Sequence, residues 1–196
     1  MFANRYTALV DACSLVDTMR RNLLLTLAEA EFFRVRWSVP IMEETERAIT
    51  RLAEGKGYDD AAARGARARL AMERAFEEAS VTDFEPFMAV AVALPDQGDH
   101  HVLAAALKIQ AQTIITENLR DFPADILTPL GIEARSADDF IADTIALDLG
   151  RAVPALRRMR QRLRLPPMEA DRLLLDLEAR GLIATAATLA PHAESL

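Results

Sequence analysis

Short apolar runs alternate with longer helical stripes along most of this chain. The run "YTALVDACS" is β-rich and ends on an acid, Asp11, and an amphipathic stretch from Ser14 to about Phe32 follows it. "RVRWS" leads to Ser38, a candidate N-cap, and to a helix with Pro40 in its first turn, where the missing amide hydrogen is tolerated. Residues 58–80 read as one long Ala/Arg/Glu helix, and "SVTDF" as a possible strand. A helix is expected from Asp99 to about Gln110. "TIITEN" is a β-branched strand that breaks into a polar loop, and "GIEARS" is a further strand before the helical "ADDFIADTI".

Strands alternating with helices make βαβ units, so the expected fold class is α/β, a parallel sheet sandwiched by helices. After about residue 145 the strand signals stop. "LPPMEADRLLLDLEARGLIATAATL" reads as a helix stopped by Gly181 and then a second short helix. The expected organisation is a domain over residues 1–144 with a small helical extension over residues 145–196.

Composition narrows the class. With 196 residues and 51% apolar content the chain can bury a core, and its ordinary charge content argues against disorder. No apolar run reaches the length of a membrane span, and the opening residues lack the pattern of a secretory signal. The single cysteine, Cys13, excludes an intrachain disulfide and fits a reducing compartment. A soluble, cytoplasmic protein is the expectation. The net charge of −7 argues against a general polyanion binder. Its arginines are unevenly placed, however, and "RAVPALRRMRQRLR" (residues 151–164) carries six of them and no acid. Val153, Leu156, Met159 and Leu163 recur at helical spacing there. That leaves Arg157, Arg158, Arg160, Arg162 and Arg164 to project into solvent, as phosphate contacts near a catalytic rim or simply as a solvated face.

The acids carry the candidate chemistry. Ligands of open α/β sheets bind outside the carboxyl ends of the strands. Asp11 ends one strand and the polar loop Thr116-Glu117-Asn118 ends another, so both belong at that rim. Asp96 and Asp99 open a helix whose N-terminus favours carboxylates, and Asp121 lies just beyond the second strand. In the helix after Ser38 the apolar face is expected at Ile41, Ala48, Ile49 and Leu52. Glu44 borders that face, whereas Glu43 points away towards Arg47 and Glu46 lies on the outer side. Acids gathered at one rim repel, and a hard divalent cation such as Mg²⁺ or Mn²⁺ relieves the repulsion. Such a site suits phosphodiester hydrolysis. Taken singly, Asp96 and Asp99 read more readily as helix caps, and Asp11 as a turn residue. His100 and His101 lack the spacing and companions of a zinc site, and Cys13 has no evident histidine partner.

The ordered set "LVDACSL", "WSVPIMEETERAI", "LPDQGDHHVLAAA" and "IITENLRDF" resembles the PIN domain, the metal-dependent ribonuclease fold of the VapC toxins, over about residues 6–140. The resemblance is to the longer subgroup with a helical C-terminal extension. It implies that Asp11, Glu44, Asp96 and Asp99 bind metal and that Asp121 is a further acid of the last motif. Thr116 and Asn118 match the polar loop that helps hold the metal and the attacking water. Many relatives carry an acid where this chain has Asn118, and the two histidines are expected to be bystanders. The family further implies cleavage of RNA (often tRNA or a ribosomal RNA loop), a partner antitoxin protein and a homodimer. A PIN domain can equally serve RNA maturation, or act as a weakly catalytic module that binds RNA or protein; the full set of acids speaks against the module. A phosphatase of the aspartyl-phosphate kind is disfavoured, because "DACSL" lacks its second acid two residues on.

Overall fold

The computed structural model describes residues 6–163 and 167–196. Among these residues five strands pair in parallel, in the order β3-β2-β1-β4-β5. They are β1 Thr7–Val10, β2 Arg34–Ser38, β3 Ser80–Val81, β4 Thr113–Ile115 and β5 Glu133–Arg135. β1 is central, with Ala8 opposite Val35 on one side and Thr113 on the other. All four of its residues are buried, as a strand covered on both faces requires. The chain therefore forms the expected α/β sandwich.

The covering layers come from the connections. α1 Ala12–Val16 and α2 Thr18–Glu29 follow β1, and α3 Val39–Gly55 and α4 Ala61–Ala75 follow β2. α5 Met88–Ala91 and α6 His100–Lys108 precede β4, and α7 Ala124–Leu127 precedes β5. The chain continues with α8 Ala137–Leu147, α9 Leu149–Arg162, α10 Ala170–Ala179 and α11 Ile183–Leu189. No helix among the described residues is long and apolar enough to cross a membrane.

Several boundaries differ from the sequence reading, each for a local reason. The stretch from Ser14 to Phe32 is two helices, because Asp17 is extended and its carboxylate caps α2 by accepting from the Arg20 amide at 2.9 Å. The helix expected over residues 58–80 ends at Phe76, whose ring meets Trp37 edge-on at 6.0 Å. Of "SVTDF" only Ser80 and Val81 pair, opposite Trp37 and Ser38. Ser38 does cap α3 and Pro40 does sit in its first turn.

The buried face of α3 is also rotated from expectation. Ile41, Met42, Thr45 and Ala53 are buried, while Leu52 is 52% exposed. The cause is α4, which lies against α3 so closely that a Cβ on Gly65 would stand 2.7 Å from the Glu46 carbonyl oxygen. Glu46 consequently faces α4 and pairs with Arg69 at 3.2 Å instead of pointing outward. Glu43 pairs loosely with Arg47 at 3.9 Å.

The C-terminal helices are sewn onto the sheet domain by specific bonds. Asp138, in the first turn of α8, accepts from the Ala184 and Thr185 amides of α11 at 2.8 Å each, satisfying donors that a helix start leaves open. α9 packs along α2, burying Ala152, Val153, Leu156 and Met159. Arg160 donates to the Met168 carbonyl and, at 3.0 Å, to the Leu196 carbonyl, which fastens both segments to α9.

A candidate metal centre at the carboxyl end of the sheet

Parallel strands bring their carboxyl ends to one edge, and β1 and β4 are neighbours there. The Asp11 amide donates to the Ile115 carbonyl of β4 at 2.9 Å, so the ladder itself positions this residue. Asp11 is only 6% exposed. Its Oδ1 accepts from the Ala12 amide at 2.6 Å and caps α1. Its Oδ2 accepts from the Thr116 hydroxyl at 2.8 Å and from the Cys13 thiol at 3.0 Å. Thr116 is fully buried, and its hydroxyl oxygen in turn accepts from the Asn118 amide at 3.1 Å. The polar loop therefore orients Asp11 through Thr116, while Asn118 contributes its backbone and leaves its side chain exposed.

Three further acids meet beside it. Asp96, Asp99 and Asp121 each place a carboxylate oxygen within 4.8 Å of the others. Burial, then the charges of Asp11, Asp96 and Asp121, push the Asp99 carboxyl up to about 6, with His101 pulling the other way. Three acids thus act on Asp99 at the rim where the strand and helix ends were expected to bring them. The capping alternative accounts for part of this. Asp96 Oδ1 accepts from the Gly98 amide at 2.8 Å and caps a 3-10 turn, but Asp99 makes no capping bond with its side chain. Its Oδ2 is buried with no hydrogen-bond partner among the described residues. Buried polar atoms are nearly always satisfied, so a bare carboxylate oxygen in the field of three other acids fits a hard divalent cation with oxygen ligands.

Glu44 stands outside the close group. It is half-buried, and its Oε1 takes a hydrogen bond from His101 Nε2 at 3.1 Å. His101, expected to be a bystander, is thus joined to a candidate metal acid. His100 is buried and its Nε2 lies 3.3 Å from the Leu94 carbonyl.

Three residues of the rim went unassigned in the sequence. Glu117 accepts from the Ser14 hydroxyl at 3.3 Å and from the Ala137 amide at 3.1 Å, and pairs with Arg20 at 3.3 Å. It ties the β4 loop to α1, α2 and the start of α8. Arg20 also donates to the Cys13 carbonyl at 3.3 Å. The Cys13 thiol is pushed up to about 12 by burial and by the Asp11 charge, so it serves as a neutral donor rather than a nucleophile. No local spacing foretells the contacts of Glu117, which reach back 103 positions to Ser14 and forward 20 to Ala137.

The arginine run lies elsewhere. α2 leads from the carboxyl end of β1 to the start of β2, so its last turn is at the far end of the sheet from Asp11. Arg151 donates to the Ala30 carbonyl at 2.6 Å and covers the Phe32 ring, and Arg162 meets Glu29 at 3.6 Å. Arg158 and Arg162 line a small cleft with Thr26 and Ala30. Arg151, Arg158 and Arg162 therefore do not flank the acidic rim. Arg160 does not project into solvent either, being half-buried on two carbonyls, whereas Arg157, Arg158 and Arg162 are exposed. Arg164 lies outside the described residues.

A parallel five-stranded sheet with aspartates from three separate segments meeting at its carboxyl edge defines an α/β protein with an acidic rim. The PIN domain family matches residues 7–120, and the chain belongs to it. A second match, to the VapC50 C-terminal domain, covers residues 137–191 and places the chain among VapC-type PIN proteins with a C-terminal extension. A relative named "Putative ribonuclease VapC50", from Mycobacterium tuberculosis (strain ATCC 25618 / H37Rv), is 49% identical over 49 residues. That stretch is 25% of this chain and 29% of the relative, so the likeness spans under a third of that protein. No solved structure matches the chain.

Proposed function

We propose that this protein is a Mg²⁺- or Mn²⁺-dependent endoribonuclease that hydrolyses RNA phosphodiester bonds, acting as the toxin of a toxin–antitoxin pair. The observation that carries the reading is the convergence of Asp11, Asp96, Asp99 and Asp121 on one rim, with Asp99 Oδ2 buried and unpartnered. These four would hold the cation, with Glu44 beside them. When bound, the cation would activate a water and offset charge on the leaving oxygen. The chain's own residues do the rest. Thr116 and Cys13 fix the Asp11 carboxylate, the Ala12 amide holds its other oxygen, and Asn118 closes the loop over Thr116. Glu117 and Arg20 hold that loop against α1 and α8.

The name of the Mycobacterium tuberculosis relative supports a ribonuclease, and the matched C-terminal domain supports the VapC type. The substrate in this reading is tRNA or ribosomal RNA, the partner is a cognate antitoxin protein, and the chain forms a homodimer in the cytoplasm. Residues 1–144 form the nuclease domain and 145–196 the extension. Purified protein incubated with tRNA and ribosomal RNA fragments tests the chemistry. Cleavage with Mg²⁺ or Mn²⁺ that stops on adding EDTA, and that fails in Asp99→Asn, is the expected result. Equal cleavage by wild type and variant overturns the assignment.

A further inference from the structure

The packing around Glu44 carries an inference about how that acid serves the rim. Glu44 lies on α3, one helix removed from the Asp96–Asp99–Asp121 group, and a glutamate on a helix surface has three rotatable bonds with which to wander. Its Oε1 is tied to His101 Nε2 at 3.1 Å, and that bond joins α3 to the first turn of α6. The His101 side chain is 16% exposed, whereas that of Glu44 is 39% exposed. The imidazole is therefore the packed member of the pair and the carboxylate the movable one. A carboxylate only accepts, so the shared proton belongs to Nε2. His101 sits two residues beyond Asp99, in the first turn of the helix that Asp99 opens.

We infer that His101 is a positioning residue. Its ring, packed at the start of α6, holds one oxygen of Glu44 and so limits where that carboxylate can stand beside the aspartates that would bind the cation. The inference rests on the metal reading above. Partners of this kind orient metal-binding carboxylates, and their loss commonly weakens metal affinity by about 10- to 100-fold. His100 is the internal contrast, because its ring bonds a main-chain carbonyl and makes no hydrogen bond to an acid among the described residues.

The test is Mn²⁺ titration of the full chain by calorimetry and by the electron paramagnetic resonance signal of free Mn²⁺, neither of which depends on catalysis. His101→Leu keeps bulk and removes the donor, and about a tenfold loss of Mn²⁺ affinity is expected. His101→Gln retains an amide donor at similar reach and should recover most of that loss, which a merely structural role would not predict. In a Glu44→Gln background His101→Leu should have no further effect. Glu44→Gln probes the same bond from the exposed side, so the outcome does not hinge on whether His101→Leu folds. Wild-type affinity in both His101→Leu and Glu44→Gln overturns the inference, as does an equal loss from His101→Leu in both backgrounds. If wild type binds no Mn²⁺ and Asp99→Asn behaves identically, the metal reading itself falls and takes this role with it.

Discussion

Asp99→Asn should stabilise the metal-free protein, and the gain should depend on pH. Burial and the three neighbouring acids raise the Asp99 carboxyl to about 6 in the folded chain, while in the unfolded chain it keeps its ordinary value near 3.8. Below about pH 3.8 the group is protonated in both states and takes nothing from stability. As pH rises from 3.8 to 6 the unfolded chain releases the proton while the folded chain still holds it, so folding loses stability, and above about 6 the loss is complete. Two pH units of displacement correspond to about 3 kcal/mol at most. Asp99 is partly open to solvent, and screening reduces this to about 1–2 kcal/mol. The asparagine variant avoids that loss because it never ionises. In a chain of this size each kcal/mol moves the melting temperature by about 2–4 °C. Urea denaturation in EDTA at pH 4.5 and pH 8 measures the effect. The variant should exceed wild type at pH 8, and by only about a third as much at pH 4.5. Saturating Mn²⁺ should reverse the order at pH 8, since only the intact acid set gains from binding the ion. A variant that is weaker at pH 8 without metal, or a gap that is the same at both pH values, would refute the account of Asp99 as an electrostatically strained acid.

Other outcomes follow from the same geometry. Asp11→Asn should leave the fold intact while lowering metal-dependent RNA cleavage by about 100-fold or more, measured at saturating substrate; a loss of only a few-fold would remove Asp11 from the centre. Arg160→Ala should destabilise the chain by about 1–3 kcal/mol, because the Met168 and Leu196 carbonyls lose their donor. The double change Arg158→Ala with Arg162→Ala should leave both stability and the salt dependence of RNA binding almost unchanged, since those side chains lie at the far end of the sheet from the acids. A salt slope reduced by about one to two would instead place the RNA path over α9. The Cys13 thiol, held up to about 12, should alkylate far more slowly with iodoacetamide at pH 8 in the native protein than in urea. Equal rates would show the thiol to be free of Asp11.

Much of the architecture was legible along the chain because short-range physics decides it. The β-branched "TIIT" run and the apolar "TALV" run have no helical stripe to offer, and their regular alternation with helices leaves a parallel sheet as the solution. Since parallel strands share a carboxyl edge, the convergence of Asp11 with Asp96, Asp99 and Asp121 also followed from order alone. Tertiary packing decided what periodicity could not. α4 pressing on α3 through Gly65 rotated the buried face and left Leu52 in solvent. The arginines of α9 were displaced to the far end of the sheet because α9 packs along α2, a choice that no spacing within residues 151–164 encodes. His101 became a partner of Glu44, and Glu117 a junction of four segments, through bonds spanning 57 and 103 positions. A helical stripe or a turn signal reports on neighbours within a few residues, whereas a side-chain hydrogen bond between distant segments exists only once the layers have set their angle and register.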